Sequence, residues 1–257
     1  MAASLTSTSA HCDRRPHLAG SVVGRSDLSA ADRDQMYELL QTYFSHSDHA
    51  QFERDLIEKD TVILLRDATT HRIQGFSTLL RLHMDVDGQT VAAFFSGDTI
   101  IDRAYWGETM LSRLWAQTVF ADVDRITAEL PETEVYWFLI CSGYKTWRFL
   151  PLFFRQFYPN AKGPTPPRDQ RILDALATRK FGDQYKAELG IVRLHAASPL
   201  RRGVAELTDE RLRDSDVAFF AQMNPGHHDG DELACLASLS RSNLTRAAQR
   251  MIARPVV

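Results

Sequence analysis

Two long apolar runs, residues 73–86 and 90–101, meet at Val86-Asp87-Gly88-Gln89, and this junction constrains the fold more than any other feature of the chain. Both runs are rich in β-branched and aromatic residues, so each reads as a strand. Asp-Gly between strand patterns marks a tight antiparallel hairpin, because both turn positions need positive φ. Just upstream, Thr61-Val-Ile-Leu-Leu-Arg-Asp67 reads as another strand. Three antiparallel strands in succession therefore form the centre of the region, and helices must cover them.

Helical cover is legible on both sides. A short strand is expected at residues 21–25, followed by a helix over residues 26–44 whose Met36, Leu39, Leu40, Tyr43 and Phe44 fall on one face. Ser29 with Asp32 resembles a capping box. A shorter helix follows over residues 49–59. After the third strand, one glycine, Gly107, precedes a helix with Leu111, Leu114, Trp115, Thr118 and Val119 on one face, and Pro131 ends it. Glu134 to Ser142 reads as a strand. Residues 145–159 then read as a helix that Pro151 either delays or kinks.

Residues 159–167, PNAKGPTPP, form the clearest breaker in the chain. They divide it into an arm at residues 1–19, expected to be flexible, a core at 20–160, and an extension at 164–257. The extension reads as mostly helical, with helices near 168–187, 208–223 and 241–253 and one strand at 188–195. The expected fold class is α/β (α+β), a mixed, mostly antiparallel central sheet flanked by helices.

Composition narrows the functions. A formal charge of -3 gives no general electrostatic case for nucleic acid. Cys12, Cys141 and Cys235 are too scattered for a paired metal motif or a disulfide ladder. A reducing, cytoplasmic setting is expected. No stretch reaches the about 20 apolar residues of a membrane helix, and the Ser/Thr/Ala-rich start lacks the apolar core of a secretory signal.

The order strand, helix, helix, three strands, helix, strand, helix, with the Asp-Gly hairpin and the strand-loop-helix junction at DTIIDRAYWGETML, resembles the GNAT acyltransferase superfamily over about residues 20 to 160. The resemblance implies an acyl thioester donor bound where two neighbouring strands splay apart. It implies a donor loop after the fourth strand, where Trp106 stands at the family's Arg or Gln position. Thr109 and Leu111 stand where small residues are usual, and Gly107 stands at a variable position. The N–H groups of Gly107, Glu108 and Thr109, with the Thr109 hydroxyl, are the expected phosphate donors. Each lost glycine puts a Cβ where a pyrophosphate would approach, and Glu108 adds negative charge. The donor is therefore expected to be acyl coenzyme A or a phosphopantetheine-borne acyl group on an acyl carrier protein.

Acyl transfer to an amine needs a base, donors for the developing oxyanion and an acid for the thiolate. Asp98, after the apolar run Phe94-Phe95-Ser96-Gly97, is the expected carboxylate on a central strand; it could equally serve to bind nearby backbone N–H groups. Cys141-Ser142-Gly143-Tyr144 ends the next strand near where the strands would splay; Ser142 is expected to contact the donor, and Tyr144 is placed to donate a proton. The family's usual tyrosine aligns near Phe153 or Phe154, which cannot; Tyr158 lies a turn later. His83 on the hairpin is a further candidate facing the acceptor pocket. Cys141 reads as core packing. His227, His228, Asp229, Asp231 and Glu232 fit no closed zinc motif, Asp231 and Glu232 read as charge at a helix start, and no metal is expected. The expected activity is N-acyl transfer to a small-molecule amine; the alternative is an inactive GNAT-like module for ligand or protein binding.

Overall fold

The computed structural model describes residues 17–195 and 198–253. Most of the segment read as a flexible arm, and Cys12 with it, lies outside these residues. The first strand opens at Leu18, ahead of the expected start at Ser21. The strands are β1 (Leu18–Gly24), β2 (Thr61–Asp67), β3 (Ile73–Val86), β4 (Gln89–Ile101), β5 (Glu134–Cys141), β6 (Tyr185–Lys186), β7 (Ile191–Val192) and β8 (Glu232–Ser238). They form one sheet in the order β1-β2-β3-β4-β5-β8-β7-β6. The helices are α1 (Ala30–Tyr43), α2 (His49–Ile57), α3 (Met110–Glu129), α4 (Tyr144–Trp147), α5 (Phe149–Phe153), α6 (Pro167–Phe181), α7 (Ser215–Met223) and α8 (Arg246–Ala253).

The hairpin has the expected turn. Asp87 and Gly88 take φ of 55° and 77°, and Val86 pairs with Gln89. The box at α1 also forms, with the Asp32 N–H donating to Ser29 Oγ at 3.1 Å. The face of Met36, Leu39, Leu40 and Tyr43 is buried against Val62, Leu64 and Phe76. The other side of β2 turns Ile63 and Leu65 toward Leu111 and Leu114 of α3. Alternation along one strand thus serves both layers of helix.

Two expectations need correction. Residues 145–159 are not one helix: α4 and α5 are a few residues each, and after Phe153 the chain becomes extended, with Phe154 bridging Leu244 and Tyr158 bridging Leu236. The cause is an aromatic segment that must line a sheet edge while burying Trp147, Leu150, Phe154 and Phe157. The second correction concerns Asp231 and Glu232, which precede and open strand β8 and not a helix. The extension, expected to hold one strand, also departs from its reading: beyond residue 164 the described chain adds three strands to the sheet, β6 taking the end of the helix expected to 187, and β8 lies directly against β5, pairing Cys141 with Leu233 and Tyr136 with Ser238.

Connection type sets the position of the site. β4 and β5 are parallel, joined by the crossover helix α3, whereas every other pair among the described residues is antiparallel. This is the arrangement that the resemblance implies. Three buried clusters result: one between the sheet and α3, one under α1 and α2, and one under α6.

Candidate active site

β4 and β5 pair only from Val91↔Glu134 to Ser96↔Leu139. Beyond Ser96 they part. Thr99 pairs with Ser77 and Ser96 with Leu79, so Gly97 and Asp98 together stand opposite Thr78. One extra residue on a strand bends it. β4 thereby stays with β3 as far as Ile101, while β5 stays with β8 as far as Cys141. Gly97 is required at the bend, because a Cβ there would meet Thr78 Oγ1 at 2.6 Å and Lys59 Cε at 2.7 Å.

A cavity of about 590 Å³ opens at this gap, bounded by Ser96, Gly97 and Thr99 of β4, by Ile140 of β5 and by Ser142 and Gly143 just after it. Its floor is set by two indoles. Trp115 of α3 and Trp137 of β5 both donate Nε1–H to Ser96 Oγ, at 3.0 and 2.9 Å, with ring centroids 4.5 Å apart. Two donors occupy the acceptor capacity of a hydroxyl, so the one group Ser96 can still offer the cavity is its own hydrogen.

The mouth lies at the loop before α3. Gly107 has φ of 100° with nothing within 4 Å of where a Cβ would stand, and Thr109 at the N-cap makes no side-chain cap. The first-turn N–H groups of α3 are left without that partner. The Glu108 N–H is not available as expected, since it donates to Tyr105 O at 3.1 Å. Trp106 is 40% exposed and its Nε1–H donates to Ile101 O at 3.0 Å, which holds the ring flat at the rim. Lys145 Nζ stands 3.4 Å from the centre of that ring and Arg103 Cζ 5.0 Å from it. Burial, together with the charges of Arg103 and Arg211, pulls the Lys145 ammonium below its ordinary range. Cations crowded against one another in this way favour an anion between them.

On the opposite face of the sheet, turned to α2 and α6, the gap is lined by charge. Glu232, half-buried at the start of β8, receives a hydrogen bond from Ser142, and burial pushes its carboxyl up to about 7 with help from Asp98. Asp98 is likewise raised by burial, against the pull of Lys59. Lys59 is buried, donates to Asp55 O at 2.7 Å, and is lowered chiefly by burial, with Asp98 opposing. Asp98, Glu232, Lys59 and Ser142 therefore form one coupled group. Sequence reasoning singled out Asp98 as a base and Ser142 for the donor, and missed Lys59 and the role of Glu232.

The other expected residues lie elsewhere. Tyr144 is buried in the core beneath α3, and Tyr158 is held at β8 through its bridge to Leu236; neither lines the cavity. His83 is exposed near the hairpin end of the sheet, beside a separate hollow of about 180 Å³ with Arg81, Arg125 and Glu129. Cys141 is fully buried, 4.0 Å from Cys235 Sγ, and burial drives its thiol well up, away from the reactive thiolate. His227 Nδ1 bonds Asn224 O and Asp231 pairs with Arg193, which disperses the acidic and histidine run. Among the described residues no group of three or more His, Cys, Asp or Glu is placed to hold a metal ion.

In outline the chain is similar to solved acetyltransferases. One is the GNAT family N-acetyltransferase YhbS from Escherichia coli in complex with CoA, at 16% identity and a TM-score of 0.35, covering 54% of this chain and 71% of that one. A second is an acetyltransferase from Trypanosoma brucei, at 17% identity and a TM-score of 0.35, covering 58% and 100%. A third is the aminoglycoside acetyltransferase meta-AAC0020 from an uncultured soil sample, in complex with sisomicin, at 14% and 0.34, covering 58% and 92%. No protein-family model and no curated protein matches the chain. Likeness at these values says nothing of activity, which must be read from the geometry.

Proposed function

We propose that the protein is an N-acyltransferase that moves an acyl group from a thioester donor to a small-molecule amine. The observation that carries this reading is the parting of the parallel strands β4 and β5, with a cavity and its cationic mouth on one face of the gap and a raised carboxyl on the other. The donor's arm fits this path. Arg103, Lys145 and Arg211, with the open first turn of α3, would hold a phosphate, and the gap would hold the thioester. This replaces the glycines missing from the loop by side-chain charge. One phosphate at the mouth suits phosphopantetheine, whether carried on an acyl carrier protein or within coenzyme A.

The roles follow from position. Glu232 takes a proton from the amine as its nitrogen bonds to the acyl carbon; the carbon–sulfur bond breaks and the thiolate leaves toward the mouth, where water supplies its proton. A carboxyl that titrates near neutrality is matched to that task. Ser96 donates its hydrogen to the acyl oxygen as charge develops there. Asp98 keeps Glu232 raised, and Ser142 orients it. Residues 20–160 serve as the acyltransferase core, and residues 164–257 complete its site by bringing Glu232 beside Ser142.

The alternative of a partner-binding module would call for an exposed apolar stripe between Trp147 and Tyr158. That segment instead buries Trp147, Leu150, Phe154 and Phe157, and Leu152 is its one exposed large apolar side chain among the described residues. The test is release of free thiol from acyl coenzyme A and acyl-pantetheine in the presence of an amine panel. Amine-dependent thiol release is expected, and its absence across the panel would end this reading.

A further inference from the structure

The cavity is larger than a thioester alone requires, and its two ends differ in chemistry. Its charged lining residues among those described, Glu108 and Lys145, both stand at the mouth. From the gap it continues along α3 past Trp115 and Ala116 to Phe120. The eleven steps from Thr109 to Phe120 span about 16 Å at the rise of an α-helix. The far end is closed by Phe154 and Leu244, which bridge one another, and by Ala248 and Ile252 of α8. Ala116 and Ala248 are small where a larger side chain would fill the arm. No cation or carboxylate lines this end.

Resting on the acyltransferase reading, we propose that the arm between α3 and α8 houses the hydrocarbon chain of a medium- or long-chain fatty acyl donor. An acetyl group would leave the arm empty. A nucleotide would leave its phosphates in an apolar arm with no charged lining, at the opposite end from Arg103, Lys145 and Arg211. A fatty chain meets neither objection, because its methylenes take the place of water against Phe120, Phe154 and Ile252. Chain length is set by Phe120 and by the seat of α8.

The experiment uses the full chain and a series of S-acyl phosphopantetheine thioesters from acetyl to hexadecanoyl, read by calorimetric binding and by thiol release with one accepted amine. Affinity should rise about three- to fourfold per added CH2 and then level off once the arm is filled. Ala116→Leu should move that plateau to shorter chains with acetyl binding unchanged. Met251→Trp, at a half-buried position on α8 that tolerates bulk more readily, should do the same, and circular dichroism verifies that each variant is folded. If acetyl and dodecanoyl thioesters bind alike, or neither filled variant moves the plateau, the fatty-chain proposal is overturned while the acyltransferase reading stands. If filling the arm instead weakens coenzyme A against phosphopantetheine, the arm seats a nucleotide and the proposal is again overturned. If no thioester of any length binds, both fall.

Discussion

The two faces of the gap between β4 and β5 are built on opposite principles. On the α3 face, Trp115, Trp137, Phe120 and Phe154 form a dry wall, and the polar atom among them, Ser96 Oγ, is satisfied by two indoles. On the α2 and α6 face, Asp98, Glu232 and Lys59 are held partly out of water within one another's fields. Buried charge of this kind costs stability unless it is paired. The wall is what folding would choose unaided, whereas the charged face opposes folding and is retained for chemistry. The bulge at Gly97 separates the two, because it turns Asp98 to the charged face while Ser96 stays on the dry one.

Substitutions should therefore act differently on each face. The largest effect is expected for Glu232→Gln, which should lower kcat/KM by on the order of 10² to 10⁴. In the native protein a base must be ionised, so kcat/KM should rise with pH through about 7 and level off above it. The variant should lose that limb. The stability effect has the opposite sense. A carboxyl raised in the fold contributes fully below its ordinary value of 4.5 and loses that contribution as pH climbs through about 7. Glu232→Gln should accordingly melt at a higher temperature than the native protein at pH 8, which differential scanning calorimetry would check.

Next in size is Lys145→Ala. It should raise KM for a phosphopantetheine donor about tenfold with kcat little changed, and weaken the dependence of KM on salt, as expected when an exposed charge is removed from an anion site. Asp98→Asn should be subtler. Asp98 raises Glu232, so the rate limb should move to lower pH, a shift measured from kcat/KM profiles. An unmoved limb would show that the two carboxyls do not share a site.

The smallest effect is expected on the dry face. Trp115→Phe removes one of two donors to Ser96 and should cost about 1 kcal/mol, or a few degrees in Tm, with the pH profile unchanged. A shifted limb in this variant would break the separation between the faces.

What the sequence made legible follows the range of the interactions. Strands β1 to β5, α1 with its Ser29 cap, and the Asp87-Gly88 turn rest on neighbours in the chain, and all can be read locally. Asp98 was legible for the same reason, being polar after an apolar strand. The parting of β4 from β5 was expected only through the resemblance, since it depends on a bulge set by Thr78 on another strand. Glu232 was hidden more deeply. Its run, Glu232-Leu-Ala-Cys-Leu-Ala-Ser238, is short and apolar enough for a buried strand, yet the acidic and histidine residues before it suggest a loop and a helix start. Only pairing with β5, over ninety residues earlier, brings its carboxyl to Ser142. Arg103 and Lys145 were equally silent, because they act together only after Trp106 stacks between loop and helix.

The central claim is that donor and base meet across the gap, and one structure tests it most directly. A crystal structure with a non-hydrolysable acyl-phosphopantetheine analogue, its sulfur replaced by CH2, should place the acyl carbonyl between Ser96 and Ser142. The phosphate should lie beside Lys145, with the face toward Glu232 open to an amine. An analogue bound elsewhere, or a gap filled by side chains in its presence, would contradict the account.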